Sequence, residues 1–152
     1  MATVEETMMK VQRILTGALG LKIGLQGDTY SVSFDNMSTS VQPRVRERVK
    51  SQEGGLQSLI VLTSMLLRNV KPTPALFEWV ARNGGSRWFG HVEVYDEKDT
   101  GTVMLIMSHT LLGDYLDEKE LYHGMFAVLH SADEWDDTLQ KQFGGKRWTD
   151  PA

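Results

Sequence analysis

Thirteen residues, HTLLGDYLDEKEL at 109–121, gather Asp114, Asp117, Glu118 and Glu120 behind an apolar stretch and a glycine. Carboxylates that dense could hold a divalent cation or divide into a general acid and a general base. The spacing favours a plainer role. Asp117 followed by Glu120 has the form of a helix N-cap, and acids there complement the positive end of the helix dipole by about 0.3–1 kcal/mol each. His123 and His130 stand on the helix that would follow, with Glu134 one turn beyond, yet no His-x-x-x-His or HExxH step makes them a zinc pair. His91 and His109 fall near the ends of two strands expected to pair. A hydrolase using His109 with Asp114 would need a nucleophile, and no G-x-S-x-G elbow supplies one. Gly17, Gly20 and Gly24 do not fit G-x-G-x-x-G, and Gly144-Gly145-Lys146 follows a helix where a phosphate loop would precede one. Asn36-Met37-Ser38 spells a glycosylation sequon that is read as chance. No catalytic residue, cofactor or metal is expected.

Composition narrows the class. With 41% hydrophobic and 24% charged residues the chain has ordinary globular usage, and its 152 residues suit one domain over 1–147 with a short tail at 148–152. That tail reads as loose, unless Trp148 tucks back against the last helix. The formal charge of −4 argues against general nucleic-acid binding, and the absence of Cys excludes disulfides and thiolate chemistry. No apolar run is long enough to span a membrane and MATVEETMMKVQRIL lacks a signal-peptide core, so a cytoplasmic protein is expected. The charged feature with a functional reading is VQPRVRERVK at 41–50. Strict alternation there would turn Arg44, Arg46, Arg48 and Lys50 to one face and Val45, Glu47 and Val49 to the other, giving a basic strand face able to meet an acidic partner or simply to be solvated.

The elements follow from local signals. Thr3 and Glu6 form a capping box, and Val4, Met8, Val11, Ile14 and Leu15 give the first helix its apolar stripe. LKIGLQ and TYSVSF flank Gly27-Asp28 as two strands or one bent strand. After an SQEGG turn, LQSLIVLTSMLLRNV suits a strand or a helix equally by periodicity. Thr73-Pro74 starts a second helix with Leu76, Phe77, Val80 and Ala81 as its apolar face. RWFGHVEVYDE and GTVMLIMSHTLLG pair around Lys98-Asp99-Thr100-Gly101 as a hairpin. Leu121, Met125, Val128, Leu129, Ala132, Trp135, Leu139 and Phe143 mark a third helix that ends at Gly144-Gly145.

The run LIVLTSMLLRNVKPTPALFEWVARNGGSRWFGHVEVYDEKDTGTVMLIMSHTLLGDYLDEKEL, with TLQKQFGG near its end, resembles the YbjN-like branch of the type III secretion chaperone-like family, in bacterial and actinobacterial-looking form. The similarity covers roughly 56–145, while 1–55 matches only in the order of elements. The resemblance implies an α+β domain in the order α-β-β-β-α-β-β-α, an antiparallel sheet of about five strands with three helices. It also makes 57–68 a strand. It implies a homodimer that binds a protein or peptide segment without catalysis. For such a module the residues suggest a surface that includes some of Trp88, Phe89, Met104 and Met107, with Arg44, Arg46 and Arg48 steering acidic segments. A carrier of a small apolar ligand, held between the sheet and the C-terminal helix, is the alternative.

Overall fold

The computed structural model describes residues 2–50 and 55–152, and for Arg48, Val49, Lys50 and Leu56 the backbone alone. Most of the SQEGG turn lies outside the described residues. Helix α1, Val4–Arg13, starts on the expected box: the Glu6 N–H donates to Thr3 Oγ1 and the Thr3 N–H to Glu6 Oε2. It runs into a π-helical turn at Ile14–Ala18 whose Leu19 N–H reaches the Ile14 carbonyl at 2.9 Å. Strands β1 (Ile23–Gln26) and β2 (Thr29–Ser33) form a true hairpin, with Gly27 at φ 62° supplying a left-handed turn position. The sheet therefore has six strands, one more than expected.

Strands β3 (Ser40–Lys50), β4 (Leu56–Val70), β5 (His91–Asp96) and β6 (Val103–Leu112) complete an antiparallel sheet in the order β1-β2-β3-β4-β6-β5. Helix α2 is Pro74–Asn83 and α3 is Glu118–Phe143. Thr73 Oγ1 and Asp117 Oδ1 accept the cap N–H groups of Leu76 and Glu120, as the Thr-Pro and Asp-x-x-Glu steps require. Helix α3 packs on β4, β6 and β3, and its Leu121, Met125, Val128 and Leu129 are wholly buried with Leu62, Leu105 and Met107 of the sheet. At Gly124 the helix comes so close that a Cβ would sit 3.0 Å from Leu62 Cδ1 and 3.2 Å from Leu111 Cδ1. The space assigned to an apolar ligand is thus packed with side chains, which leaves the carrier alternative without support. The inner face of α2 differs from expectation. Leu76, Trp79 and Val80 turn inward, while Phe77 and Ala81 are exposed.

The chain end is fastened. Arg68 and Lys146 exchange backbone hydrogen bonds at 2.8 Å, and Asp150 accepts from Gln140 Nε2 at 2.7 Å and the Arg147 N–H at 2.9 Å. Those bonds, the Arg147 backbone one first, hold the Asp150 carboxyl down at about 2. The tail that composition leaves loose is tied at this residue, and Trp148 stays 45% exposed.

Candidate functional site

The chemistry-bearing residues disperse. Asp117 caps α3 and Asp114 accepts the Ala2 N–H at 2.7 Å, so the acidic run fastens backbone. His109 does not pair with Asp114. Its pKa is lowered, by burial first and by the neighbouring His91 next, while Glu120 pulls the other way, and the Phe89 ring meets it edge-on at 5.4 Å. His123 and His130 are exposed among the α3 rings Tyr122 and Phe126. Among the described residues no three His, Asp or Glu side chains gather to hold a metal.

One polar cluster escaped sequence reasoning. Ser38 Oγ contacts both Asp133 Oδ1, at 2.6 Å, and Asp136 Oδ2, and the Ser38 N–H also donates to Asp133 at 2.8 Å. A hydroxyl has one proton to donate, so the second contact requires a proton from a carboxyl. Asp136 is the group to hold it: the residue is 1% exposed and burial raises its pKa, against the pull of the Ser38 hydrogen bond. Asp133, bonded by both Ser38 groups, is lowered and remains the carboxylate. The arrangement fastens the loop after β2 to α3. A folded pKa raised above the unfolded 3.8 means stability from this group is complete below 3.8 and falls as pH climbs through the raised value. Asp136→Asn keeps a donor for Ser38 Oγ and removes the titration. We expect it to be more stable than wild type at neutral pH, with a flatter dependence as pH rises above the unfolded value, by urea unfolding.

Among the described residues the three helices share one side of the sheet and leave the other side open. Residues directly opposed across antiparallel strands point the same way. Arg44 opposes Val61 and Arg46 opposes Leu59, which in turn face Thr110 and Leu112, while Met65 lies beside Ile106 and Met104 beside Tyr95. The open face therefore has an apolar centre of Leu59, Val61, Met65, Met104 and Ile106, each half-buried. Arg44 and Arg46 form one margin and His91, Glu93 and Tyr95 the other. Arg44 Nε is bonded to Asp28 at 3.0 Å, and Arg46 Nε is buried with no hydrogen-bond partner. The Tyr95 hydroxyl is raised chiefly by its hydrogen bond to Glu93, with Arg46 opposing from across the face.

Of the residues expected at a partner surface, Arg44, Arg46 and Met104 meet on this open face. Met107 does not: it is fully buried on the helix side. Trp88 and Phe89 precede β5 and border the helix side, exposed by 99% and 50%. The side chain of Arg48 lies outside the described residues, but the β3–β4 register slips between Glu47 and Val49, so strict alternation ends in a bulge there. Val41, Pro43 and Val45 inward with Arg44 and Arg46 outward bear out the pattern before it.

Residues 11–151 match the family described as T3SS (YopN, CesT) and YbjN peptide-binding chaperone 1, TY-Chap1. The chain belongs to this family. Two solved structures share its fold. YbjN from E. coli superposes with a TM-score of 0.61 at 10% identity, covering 90% of this chain and 93% of that one. ExsC, solved in the ExsC-ExsE complex, gives 0.58 at 21% identity, with 87% and 95% covered. No curated protein matches the chain in sequence. The antiparallel α+β architecture and a chaperone-like, protein-binding class agree with the resemblance read from residues 56–145. Among the described residues no helix is long and apolar enough to cross a membrane.

Proposed function

We propose that the chain is a non-enzymatic, chaperone-like module that holds an extended segment of a partner protein on the open face of its sheet. It acts in the cytoplasm as a pair of identical copies. The observation that supports this reading best is the bare apolar centre between charged margins, on a sheet whose other side is closed by all three helices. Half-buried Leu, Val, Ile and Met side chains favour covering by a chain that brings apolar groups, and Met adapts its shape to more than one such chain. Arg44 and Arg46 steer acidic stretches, with Arg48 beside them in sequence. The Arg44–Asp28 pair is solvent-exposed and worth about 0–1 kcal/mol, so a partner carboxylate can displace it. A structural neighbour solved as a complex of two proteins, ExsC with ExsE, fits a scaffold of this kind.

Reduced, carboxymethylated α-lactalbumin, an acidic protein that cannot refold, is a suitable client. The chain should bind it with micromolar affinity by titration, and binding should weaken with salt. No binding at about a hundredfold higher concentration would remove the chaperone-like reading. Light scattering on the same sample reports pairing: a mass of 17.1 kDa rather than twice that would remove the homodimer from it.

A further inference from the structure

The helix side carries a second built surface. Trp79 and Asn83 of α2, Arg87 and Trp88 of the loop into β5, and Trp135 and Thr138 of α3 line a groove of about 600 Å³. Trp79 and Trp135 meet edge to face at 5.4 Å, which fixes both rings. Arg87 is the one charged residue lining the groove among the described residues, and it is already matched. Its guanidinium carbon lies 4.6 Å from the Trp135 ring centre and its Nη2 2.7 Å from Glu134 Oε2. The groove is complementary in charge to an uncharged ligand. None of the ring N–H groups of Trp79, Trp88 and Trp135 donates a hydrogen bond within the described residues. Trp88 is 99% exposed, so folding makes no use of its indole.

A smaller hollow of about 190 Å³ shares Arg87 and Trp88 and prolongs the surface along α3 to Ala127. From Ala127 to Leu139 the helix rises about 18 Å, at about 1.5 Å per residue. About six residues of polyproline II chain, at about 3.1 Å each, cover that length.

We infer that this groove takes a proline-containing segment of a partner in the polyproline II conformation. The chemistry fits at three points. Proline rings are uncharged and pack flat on indole faces. A polyproline II chain makes no internal hydrogen bonds, so its carbonyls are free to accept from the unused indole N–H groups. Such a chain is already extended before it binds, which lowers the ordering cost. A sugar would also stack on tryptophan, and a cellohexaose titration separates the two. Proline is favoured because the three indoles outnumber the side-chain amides and carboxylates at the groove, and Glu134 there is engaged by Arg87. The inference rests on the partner-binding reading for the class of ligand, yet it occupies the other side of the molecule.

The probe is a nonapeptide of Ala-Pro-Pro repeated three times, with a control in which every Pro is Gly. On the 15N-labelled full chain, the Ala-Pro-Pro peptide should shift the indole N–H signals of Trp79, Trp88 and Trp135 and leave that of Trp148, which does not line the groove. The Gly control should move none of them. Trp88→Ala should weaken peptide binding about tenfold or more without changing the rest of the spectrum. Unmoved groove indoles, equal shifts from the Gly control, or shifts from cellohexaose but not from the peptide would each overturn the inference. In all three cases binding of the unfolded client at the sheet face is unaffected, so the two readings fail separately.

Discussion

Gly113→Val should destabilise the fold by about 3 kcal/mol and lower the melting temperature by roughly 10 °C. Gly113 ends the β6 segment, where its N–H donates to the Ser58 carbonyl at 2.9 Å. A Cβ on it would lie 2.1 Å from Ser58 Oγ and 2.9 Å from Thr7 Cγ2. Those two side chains are 1% and 0% exposed and are hydrogen-bonded to each other at 2.6 Å, the bond that joins α1 to β4. An added side chain has to separate them, leaving two buried hydroxyls without partners at about 1–3 kcal/mol, and has to displace packed neighbours besides. Pairing the substitution with Ser58→Ala removes one of the obstructing hydroxyls. The double variant should therefore lose less than the sum of the two single losses when unfolded in urea. A stability within about 0.5 kcal/mol of wild type for Gly113→Val alone would mean that α1 is not seated on β4 in this way.

The second large effect concerns binding. Val61→Glu combined with Ile106→Glu should weaken binding of the unfolded client by about a hundredfold or more, because an incoming apolar chain would have to desolvate two carboxylates. Both positions are half-buried on the open face, on the neighbouring strands β4 and β6, and neither contributes to the packing against α3. The cost to folding is limited to strand propensity, about 1 kcal/mol in all, so circular dichroism should still report a folded protein at the temperature of the assay. Client binding that survives both charges would place the partner elsewhere.

Local signals in the sequence carried most of the elements. Thr3 with Glu6, Thr73 before Pro74 and Asp117 with Glu120 each mark a helix start because the cap is made by neighbours three residues apart, and all three bonds are present in the structure. The β5–β6 hairpin was legible from Asp99 and Gly101, both of which take positive φ. The surface was legible only in part, and for a geometric reason. Met104 and Met107 are three apart on one strand and so face opposite ways, which means at most one of them could belong to an open face. Strand parity alone could have excluded one, but choosing which required knowing the side that α3 covers. Phe77 and Trp79 pose the same problem on α2, where the helix rotation is set by Trp135 of α3. The groove of Trp79, Trp88 and Trp135 and the Ser38–Asp133–Asp136 cluster have no local signature, since their members come from separate elements that only the folded chain brings together.

The methionines provide the most direct measurement of the central claim. With 13C-labelled methionine methyl groups, addition of the unfolded client should shift or broaden the signals of Met65 and Met104, on the open face, and leave that of the core residue Met125 in place. If Met65 and Met104 keep their positions while Met9, 64% exposed on α1, responds instead, the client is bound on the helix side and the open-face account is wrong.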